Sequence, residues 1–587
     1  MSTNNIKWEV LYKKGRSSST GINGIIDILL ENRGLKTGKK KEEFFKPIHP
    51  EKISVKSLSL SEKRISKAIE RIGKAIKNSE EIIIYGDYDA DGICATAILW
   101  ETLYSFTKKV KPYIPNRFEE GYGINAKSIE TIKLRNPNVK LIITVDNGIV
   151  ANDAVDAAKK LGIDVIITDH HQPGKKLPNA FSIIHTDKIS GSGVAWIFAR
   201  EILKSFQSPI SSRRLVSNSK INNLEISMEN GKWKMENAKG LDLCAIGTIA
   251  DQLPLIGPNR SFAKYGLESL NDTKRLGLFA MFEEAGIKRG SVTTYDVNYI
   301  IAPRINAMGR MEHAIDSLRL LCTKNIKKAR ELAQFLGKTN KERQRVVDEV
   351  VLHARELAQK TTWKGAIVLA HEGYHEGVIG LAASKLVEEF YRPAIVLSKG
   401  EKISKASARS VTGFNIIETI RKLDSITLGG GGHPMAAGFS IETDKIEIFS
   451  QKFEEITSPL LTDEILTKKL KIDTELSFVS INDRLVDSLE KFEPTGIGNP
   501  KPSFQTKLVS VVEARLVGQM GKHLKLKLEN NGKTFDAIAF GMGEYTSELT
   551  PPGKKVDIVY NLSKETWIGR KYLQLKIKDL RLKRKLN

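Results

Sequence analysis

Three carboxylates fall within five residues, Asp87, Asp89 and Asp91, in the run Ile82-Ile83-Ile84-Tyr85-Gly86-Asp87-Tyr88-Asp89-Ala90-Asp91-Gly92. An apolar, β-branched stretch stops and a carboxylate cluster begins. Negative charge at that density repels itself unless a cation sits inside it. Carboxylate oxygens are hard ligands, so Mg²⁺ or Mn²⁺ is the expected guest. Three later stretches repeat the pattern. Leu141-Ile142-Ile143-Thr144-Val145 ends in Asp146-Asn147-Gly148, Val165-Ile166-Ile167-Thr168 in Asp169-His170-His171, and Ile246-Gly247-Thr248-Ile249-Ala250 in Asp251. Each reads as an apolar strand with a carboxylate or imidazole at its tip. One such ending is ordinary, because Asp often caps a helix or opens a turn after a strand. Four in one region, all at the same edge, point to a shared site.

The elements that must position these tips can be read from pattern. Helix signals fill 61–78. Strands at 82–85, 110–114, 141–145 and 165–168 then alternate with helices at 94–106, 126–134 and 151–160. That alternation predicts an α/β fold with a doubly wound parallel sheet, which binds ligands where its strands end. Residues 205–240, rich in Ser, Asn and Lys, break the pattern as an inserted loop or small excursion. From 312 to 360 there is no proline, and apolar residues recur at helical spacing, so long helices are expected to bridge two domains. Alternation resumes from 366 to about 445, predicting a smaller α/β domain. Beyond 467 the pattern changes to residue-by-residue alternation, as in Leu524-Lys525-Leu526-Lys527-Leu528. That argues an antiparallel β domain, a small barrel.

Composition narrows the partners. The 587 residues carry 92 Lys and Arg against 69 Asp and Glu, a formal charge of +23. Such a field attracts polyanions, nucleic acid first and anionic membrane second. Cys94, Cys244 and Cys322 lie far apart among apolar neighbours. They have neither disulfide nor metal-ligand spacing, which suits a reducing compartment. No leader pattern opens the sequence and no stretch approaches a membrane span, so the expected location is cytoplasmic.

Asp89-Ala90-Asp91, Asp146 and Asp169-His170-His171 together resemble the DHH phosphoesterase family. The wider text resembles that family's single-strand-specific exonuclease branch. The carrying motifs are Gly86–Gly92, Val145–Gly148, Gly247–Asp251 and Pro303-Arg304-Ile305-Asn306-Ala307-Met308-Gly309-Arg310. Gly431-Gly432-His433-Pro434-Met435-Ala436-Ala437-Gly438 resembles the companion DHHA1 domain, and Pro494–Pro500 and Gly521–Leu524 resemble an OB-type domain. The implied layout is an N-terminal extension over 1–55 wrapping the first domain and a DHH catalytic domain over 56–311. Linking helices follow over 312–362, then a DHHA1 domain over 363–460 and an OB-like β-barrel over 461–587. Departures from the family pattern are a long 205–240 stretch, His185-Thr186 after a strand, and Ala406 in place of glycine in a phosphate-binding turn.

The resemblance implies two Mn²⁺ or Mg²⁺ ions, which can clamp the attacking and leaving oxygens of a phosphodiester. It implies Asp146 as the bridging carboxylate, Asp89 on one ion, and Asp91, Asp251 and His170 on the other. Asp87 is a ligand or a hydrogen-bond acceptor behind the ligands. His171 is a phosphate contact or proton donor, with Asp169 orienting the histidine pair. Arg117, and Ser407 and Arg409 on a loop of the second domain, match residues that hold a terminal 5′ phosphate. Arg304, a catalytic candidate with His171 and Asp169, lines the cleft with Arg310; Asn306 and Arg310 are phosphate or DNA contacts, Arg310 alternatively a structural clamp. Gly432 and His433 form a glycine-rich turn that lets backbone approach a ligand. Phe504, Phe535, Phe540 and Trp567 are stacking candidates, or core.

The implied activity is 5′→3′ hydrolysis of single-stranded DNA to mononucleotides in DNA repair and recombination. The implied partners are single-strand-binding protein and a helicase, around a monomer. Two other readings stay open: a nano-RNA or nucleotide phosphoesterase, and a non-catalytic single-strand-binding scaffold. The scaffold should have lost its metal-binding carboxylates, and here Asp89, Asp91, Asp146, His170 and Asp251 all stand.

Overall fold

The computed structural model describes residues 6–12, 21–121, 123–207, 228–229, 232–233, 240–550, 552–567 and 570–582. The chain divides into two units. The larger comprises Ile48–Leu253 and Ser261–Thr467, and the smaller comprises Met1–Pro47, Pro254–Arg260 and Lys468–Asn587.

The larger unit opens with a five-stranded, all-parallel sheet in the order Val110–Tyr113, Glu81–Tyr85, Val139–Val145, Asp164–Asp169, Ser182–His185. The chain starts at Glu81–Tyr85, builds the strand on one side, then crosses to build the rest on the other. The direction of winding therefore reverses between Glu81–Tyr85 and Val139–Val145, and that reversal opens a crevice at the strand ends. Strands covered on both faces need continuous apolar runs. Ile82, Ile83, Ile84, Ile142, Ile143, Ile166 and Ile167 are accordingly buried. Helices Ala126–Arg135 and Asn152–Lys160 pack into one core with the sheet. Helix Ala90–Tyr104 packs instead against helices Gly191–Gln207 and Leu241–Ala250.

Leu241–Ala250 corrects an expectation. The run Ile246–Ala250 is the end of a helix, not a strand. Every residue from Leu241 to Ile249 is buried, so the helix shows no polar face. A short β-branched run that is apolar all round cannot be told from a strand by periodicity.

Further helices follow, ending in Ile315–Cys322 and the 34-residue Ile326–Gln359. A second, mixed sheet has the order Thr427–His433, Ala436–Glu442, Ile403–Arg409, Ala394–Ser398, Ile367–His371. Here too the structure differs from the expected turns. Ser407 and Arg409 lie on the central strand Ile403–Arg409, paired on both sides. Gly432 and His433 end the exposed edge strand Thr427–His433. Ala406 is buried in that sheet's core, so its methyl group is accommodated by a strand rather than straining a turn.

In the smaller unit, strands Phe504–Val517, His523–Asn530, Lys533–Ala539, Arg570–Leu582 and Lys555–Trp567 pair in that order, and the last pairs back onto the first. Closure removes exposed edges. All pairings are antiparallel except Lys533–Ala539 with Arg570–Leu582. Of the expected 1–55 extension, the part up to Pro47 belongs to this unit, whereas 48–55 stays with the larger unit, where Arg200 donates to the carbonyls of Pro50, Glu51 and Ile53. Strand Lys7–Val10 pairs with Lys469–Ile472. Ile25, Leu29, Leu30 and Phe44 join the barrel's core, because they bury apolar faces against residues such as Phe492 and Val486. Phe504 is core, Phe535 packs against that core, and Phe540 is 60 % exposed. The side chain of Trp567 and most of the 205–240 stretch lie outside the described residues.

Candidate active site

The crevice gathers the carboxylates from sequence-distant tips. Past Glu81–Tyr85, Asp87 Oδ1 accepts the Tyr88 amide at 2.7 Å. Asp89 Oδ1 accepts the Gly92 amide at 3.0 Å and so caps helix Ala90–Tyr104. Asp91, in that helix's first turn, accepts the amides of Gly191 (2.7 Å) and Ser192 (3.0 Å). These belong to the start of helix Gly191–Gln207, where unpaired amides and the helix dipole favour an anion. Asp146 follows Val139–Val145 with φ 63°. A non-glycine residue there costs about 1–3 kcal/mol, and such strain gathers at functional sites. Its own amide donates to Thr168 O at 3.0 Å, which holds the turn. Asp251 ends helix Leu241–Ala250.

These residues form three groups whose donor atoms lie within 4.8 Å of one another: Asp87, Asp89 and Asp146; Asp91, His170 and Asp251; and Asp146, His170 and His171. Asp146 and His170 each belong to two groups. His170 Nε2 lies 3.1 Å from Asp146 Oδ1, 3.6 Å from Asp251 and 3.9 Å from Asp91. Among the described residues neither His170 Nε2 nor Asp146 Oδ1 has a hydrogen-bond partner. A buried polar atom without a partner is costly, and two of them facing each other fit a shared cation as ligands. Burial, then the charges of Asp91 and Asp89, pushes Asp146 well above the ordinary carboxylate range. The same causes push Asp251 up to about 9. Asp87 is raised by burial and Asp89, and Asp89 by burial and Asp91. Burial also lowers His170, which keeps its imidazole neutral and able to ligate. An all-oxygen set with one imidazole suits Mn²⁺ or Mg²⁺.

Asp169 is not a helix cap. Its Oδ1 accepts the amides of His170 (2.7 Å) and His171 (3.1 Å) and His171 Nδ1 (2.8 Å), while Oδ2 accepts the Ile149 amide (2.8 Å). Burial lowers His171, but this bond together with the charges of Asp169, Asp251 and Asp87 outweighs it and raises the imidazole to about 9. The raised value favours the protonated form of His171 in the metal-free protein. His185 Nε2 meets His171 O at 2.7 Å, steadying the same turn.

A second cluster has the opposite sign. Arg310 donates to Gly377 O at 3.2 Å. Burial, then the charges of Arg117, Arg343 and Arg409, pushes its guanidinium down to about 10. Arg117 lies over the Tyr88 ring, 5.3 Å from its centre. Arg409 donates to Ser407 Oγ at 3.1 Å. A Cβ on Gly380, at the start of helix Ile379–Phe390, would press on both side chains. Guanidiniums whose charges act on Arg310 in this way suit a polyanion, and their forks match phosphate oxygens.

Other expected residues make different contacts. Arg304 is paired with Glu284 at 2.9 Å and donates to Ile300 O, so its fork is occupied away from the acidic groups. Asn306 accepts the Ala90 amide at 2.7 Å and buttresses the carboxylate loop. Gly432 and His433 are exposed. Sequence reading missed Arg343, one charge among many on a long helix. Its Nε, buried, has no hydrogen-bond partner among the described residues. It also missed why Gly191 and Gly247 are glycines. A Cβ on Gly191 would overlap the Asp146 carboxylate, and one on Gly247 would overlap Asp91 and Ser192.

The single-stranded-DNA-specific exonuclease RecJ of Bacillus subtilis (strain 168) is 35% identical over 604 residues, spanning 99% of this chain and 71% of that one. The chain belongs to the RecJ family. Its Escherichia coli (strain K12) relative of the same name is 32% identical over 544 residues, 88% of this chain and 90% of that one. The crystal structure of RecJ from Thermus thermophilus in complex with Mn²⁺ matches with a TM-score of 0.79 at 27% identity, covering 99% of this chain and 80% of that one. Profiles of the DHH family N-terminal domain, the DHHA1 domain and the RecJ OB domain match residues 81–218, 364–458 and 472–579. The RecJ likeness thus reaches both the crevice and the barrel.

Proposed function

We propose that this RecJ-family chain is a metal-dependent exonuclease that hydrolyses single-stranded DNA from the 5′ end to mononucleotides. The observation that carries the reading is the pairing of a buried carboxylate pocket with a four-arginine pocket in one unit. Asp146, placed between the two outer groups, would be shared by a pair of divalent ions, with Asp87 and Asp89 on one side and Asp91, His170 and Asp251 on the other. When bound, Mn²⁺ or Mg²⁺ would supply Lewis-acid activation of a water and neutralise charge on the phosphodiester.

The chain's own residues do the rest. Arg117, Arg310 and Arg409, with Ser407, grip a terminal 5′ phosphate and set polarity. His171, held protonated by Asp169, offers a proton donor or a hydrogen bond to the scissile phosphate. Asp87, Asp91 and Asp146 are buried while Asp89 and Asp251 are partly exposed, which leaves the crevice open to water and substrate on their side. The positive net charge supports strand capture along the phosphates.

Within this reading the chain works in the cytoplasm, as a monomer, with single-strand-binding protein and a helicase supplying strands. The three free cysteines suit that compartment. Among the described residues no helix is long and apolar enough to cross a membrane.

The test is degradation of strands blocked at one end or the other, with Mn²⁺, Mg²⁺ or chelator. Release of mononucleotides from 3′-blocked but not 5′-blocked strands, only with metal, is expected. Equal release from both ends, or release in chelator, defeats the reading. A preference for two- to four-mers would favour the small-substrate phosphoesterase instead.

A further inference from the structure

Tyr295 and Tyr299 stand out on the larger unit's surface. They are 63% and 67% exposed. Their ring centres are 4.8 Å apart at 36°. Among the described residues no cation lies over either ring, whereas exposed Tyr104 is covered by Lys108. The two tyrosines sit where helix Thr294–Asp296 runs into the π-helical turn Val297–Ile301. Such turns are rare and often mark functional sites. Here the wider turn keeps Val297 and Ile301 fully buried while Tyr299 faces solvent.

The platform is pinned on both sides. Asn298 Oδ1 accepts the Gln252 side-chain amide at 2.6 Å. Gln252 directly follows Asp251 and has φ 58°. On the other side Arg304, locked by Glu284, donates to Ile300 O at 3.0 Å. One hydrogen bond therefore ties the tyrosine pair to the residue next to an acidic-pocket carboxylate. Exposed aromatic rings on a turn tethered to the residue after Asp251 suit stacking with unpaired bases, which every base can do through its π-face.

We propose that Tyr295 and Tyr299 form a stacking platform for a nucleobase of the single strand within a few nucleotides of the scissile phosphate. The proposal rests on the nuclease reading above. On this view Arg304, expected at the chemistry, acts as a positioning residue for the platform.

The test uses the full chain and a 5′-phosphorylated oligodeoxythymidylate in which a single abasic residue is moved along the strand. Tyr295→Ala/Tyr299→Ala should raise KM roughly 5- to 100-fold, the range for losing one stacked base, with a smaller change in kcat. Tyr295→Phe/Tyr299→Phe should stay near wild type, which loss of a merely structural hydroxyl would not allow. In wild type one abasic position should weaken binding, and that penalty should vanish in the alanine pair. Unchanged KM in the alanine pair, or an abasic penalty that persists there, overturns the platform and leaves these rings to a protein partner. Strand binding by fluorescence anisotropy in chelator separates the two readings. A chain that cleaves nothing but loses binding on Tyr→Ala keeps the platform and loses the nuclease.

Discussion

One acidic and one basic cluster occupy the larger unit, and they are held together differently. The acidic pocket is assembled from the ends of strands and helices that pack against one another, and Asp87, Asp89, Asp91 and Asp169 are fixed by backbone amides. Asp91 is tied to Gly191 and Ser192, Asp89 to Gly92, and Asp169 to Ile149 and the histidine pair. The arginine pocket has no such cage. Arg117 comes from a loop, Arg310 and Arg343 from helices, and Arg409 from a strand, and they meet with few partners. A compact divalent ion demands a fixed coordination geometry, whereas the planar guanidinium fork suits the paired oxygens of a phosphate. A metal site is preformed; a strand site is completed by its substrate.

The sharpest break in that contrast is Asp146→Ala. Loss of the shared carboxylate should lower kcat by more than about 10³, beyond the effect of deleting one hydrogen-bond donor at a charge-stabilising site. Strand binding in anisotropy should survive, because the arginines are untouched. Retained turnover would remove Asp146 from the chemistry.

Asp169→Asn ranks next. It removes the bond that holds His171 protonated, so a cost of about 10–100-fold in kcat is expected, as for other groups that orient a site residue. The basic limb of the pH–rate profile should move down from about 9. An unmoved limb would detach His171 from the rate.

On the arginine side, Arg409→Ala should weaken binding of 5′-phosphorylated strands by roughly 10- to 100-fold, the worth of a charged hydrogen bond, with 5′-hydroxyl strands less affected. Arg343→Gln should do less, a few-fold. It should also raise the melting temperature of the strand-free protein, since one repulsive charge beside Arg310 is gone. Equal losses on both strand types would deny the pocket a role in reading the 5′ end.

The smallest expected effect is on stability and pH. Asp251, Asp146, Asp87 and Asp89 all hold protons more tightly folded than unfolded. Groups raised this way stabilise the fold below their unfolded values and lose that contribution as they ionise in the folded state. The metal-free protein should therefore lose melting temperature as pH climbs from about 4 toward the value near 9 at which Asp251 ionises. His171, raised to about 9 by Asp169, adds to the same trend, and His170, lowered, opposes it. Mn²⁺ should flatten the curve. A flat curve in chelator would mean that the carboxylates carry their charge without strain.

The acidic pocket was largely legible because its carboxylates follow apolar runs whose periodicity sets strand and helix. Alternation over 81–169 implied a parallel sheet, and a parallel sheet places Asp87, Asp146 and Asp169 at one edge. Legibility failed at Leu241–Ala250, where total burial erased the helical stripe. It failed again at Arg304, whose fork is taken by Glu284, and at Ser407 and Arg409, which a strand rather than a loop presents. The N-terminal helices were misplaced because nearness in sequence says nothing about which core an apolar face will join.

By itself, then, the chain's order of residues determined which groups could bind cations and at which edge of which sheet they would stand. Local periodicity fixes an element, and an element fixes its own tip. Only the tertiary structure decided which tips share a donor atom's reach, that Gly191 and Gly247 must lack side chains, and that Arg343 joins Arg310. Those are distances between segments far apart in the chain, and they follow from how helices pack over the sheet.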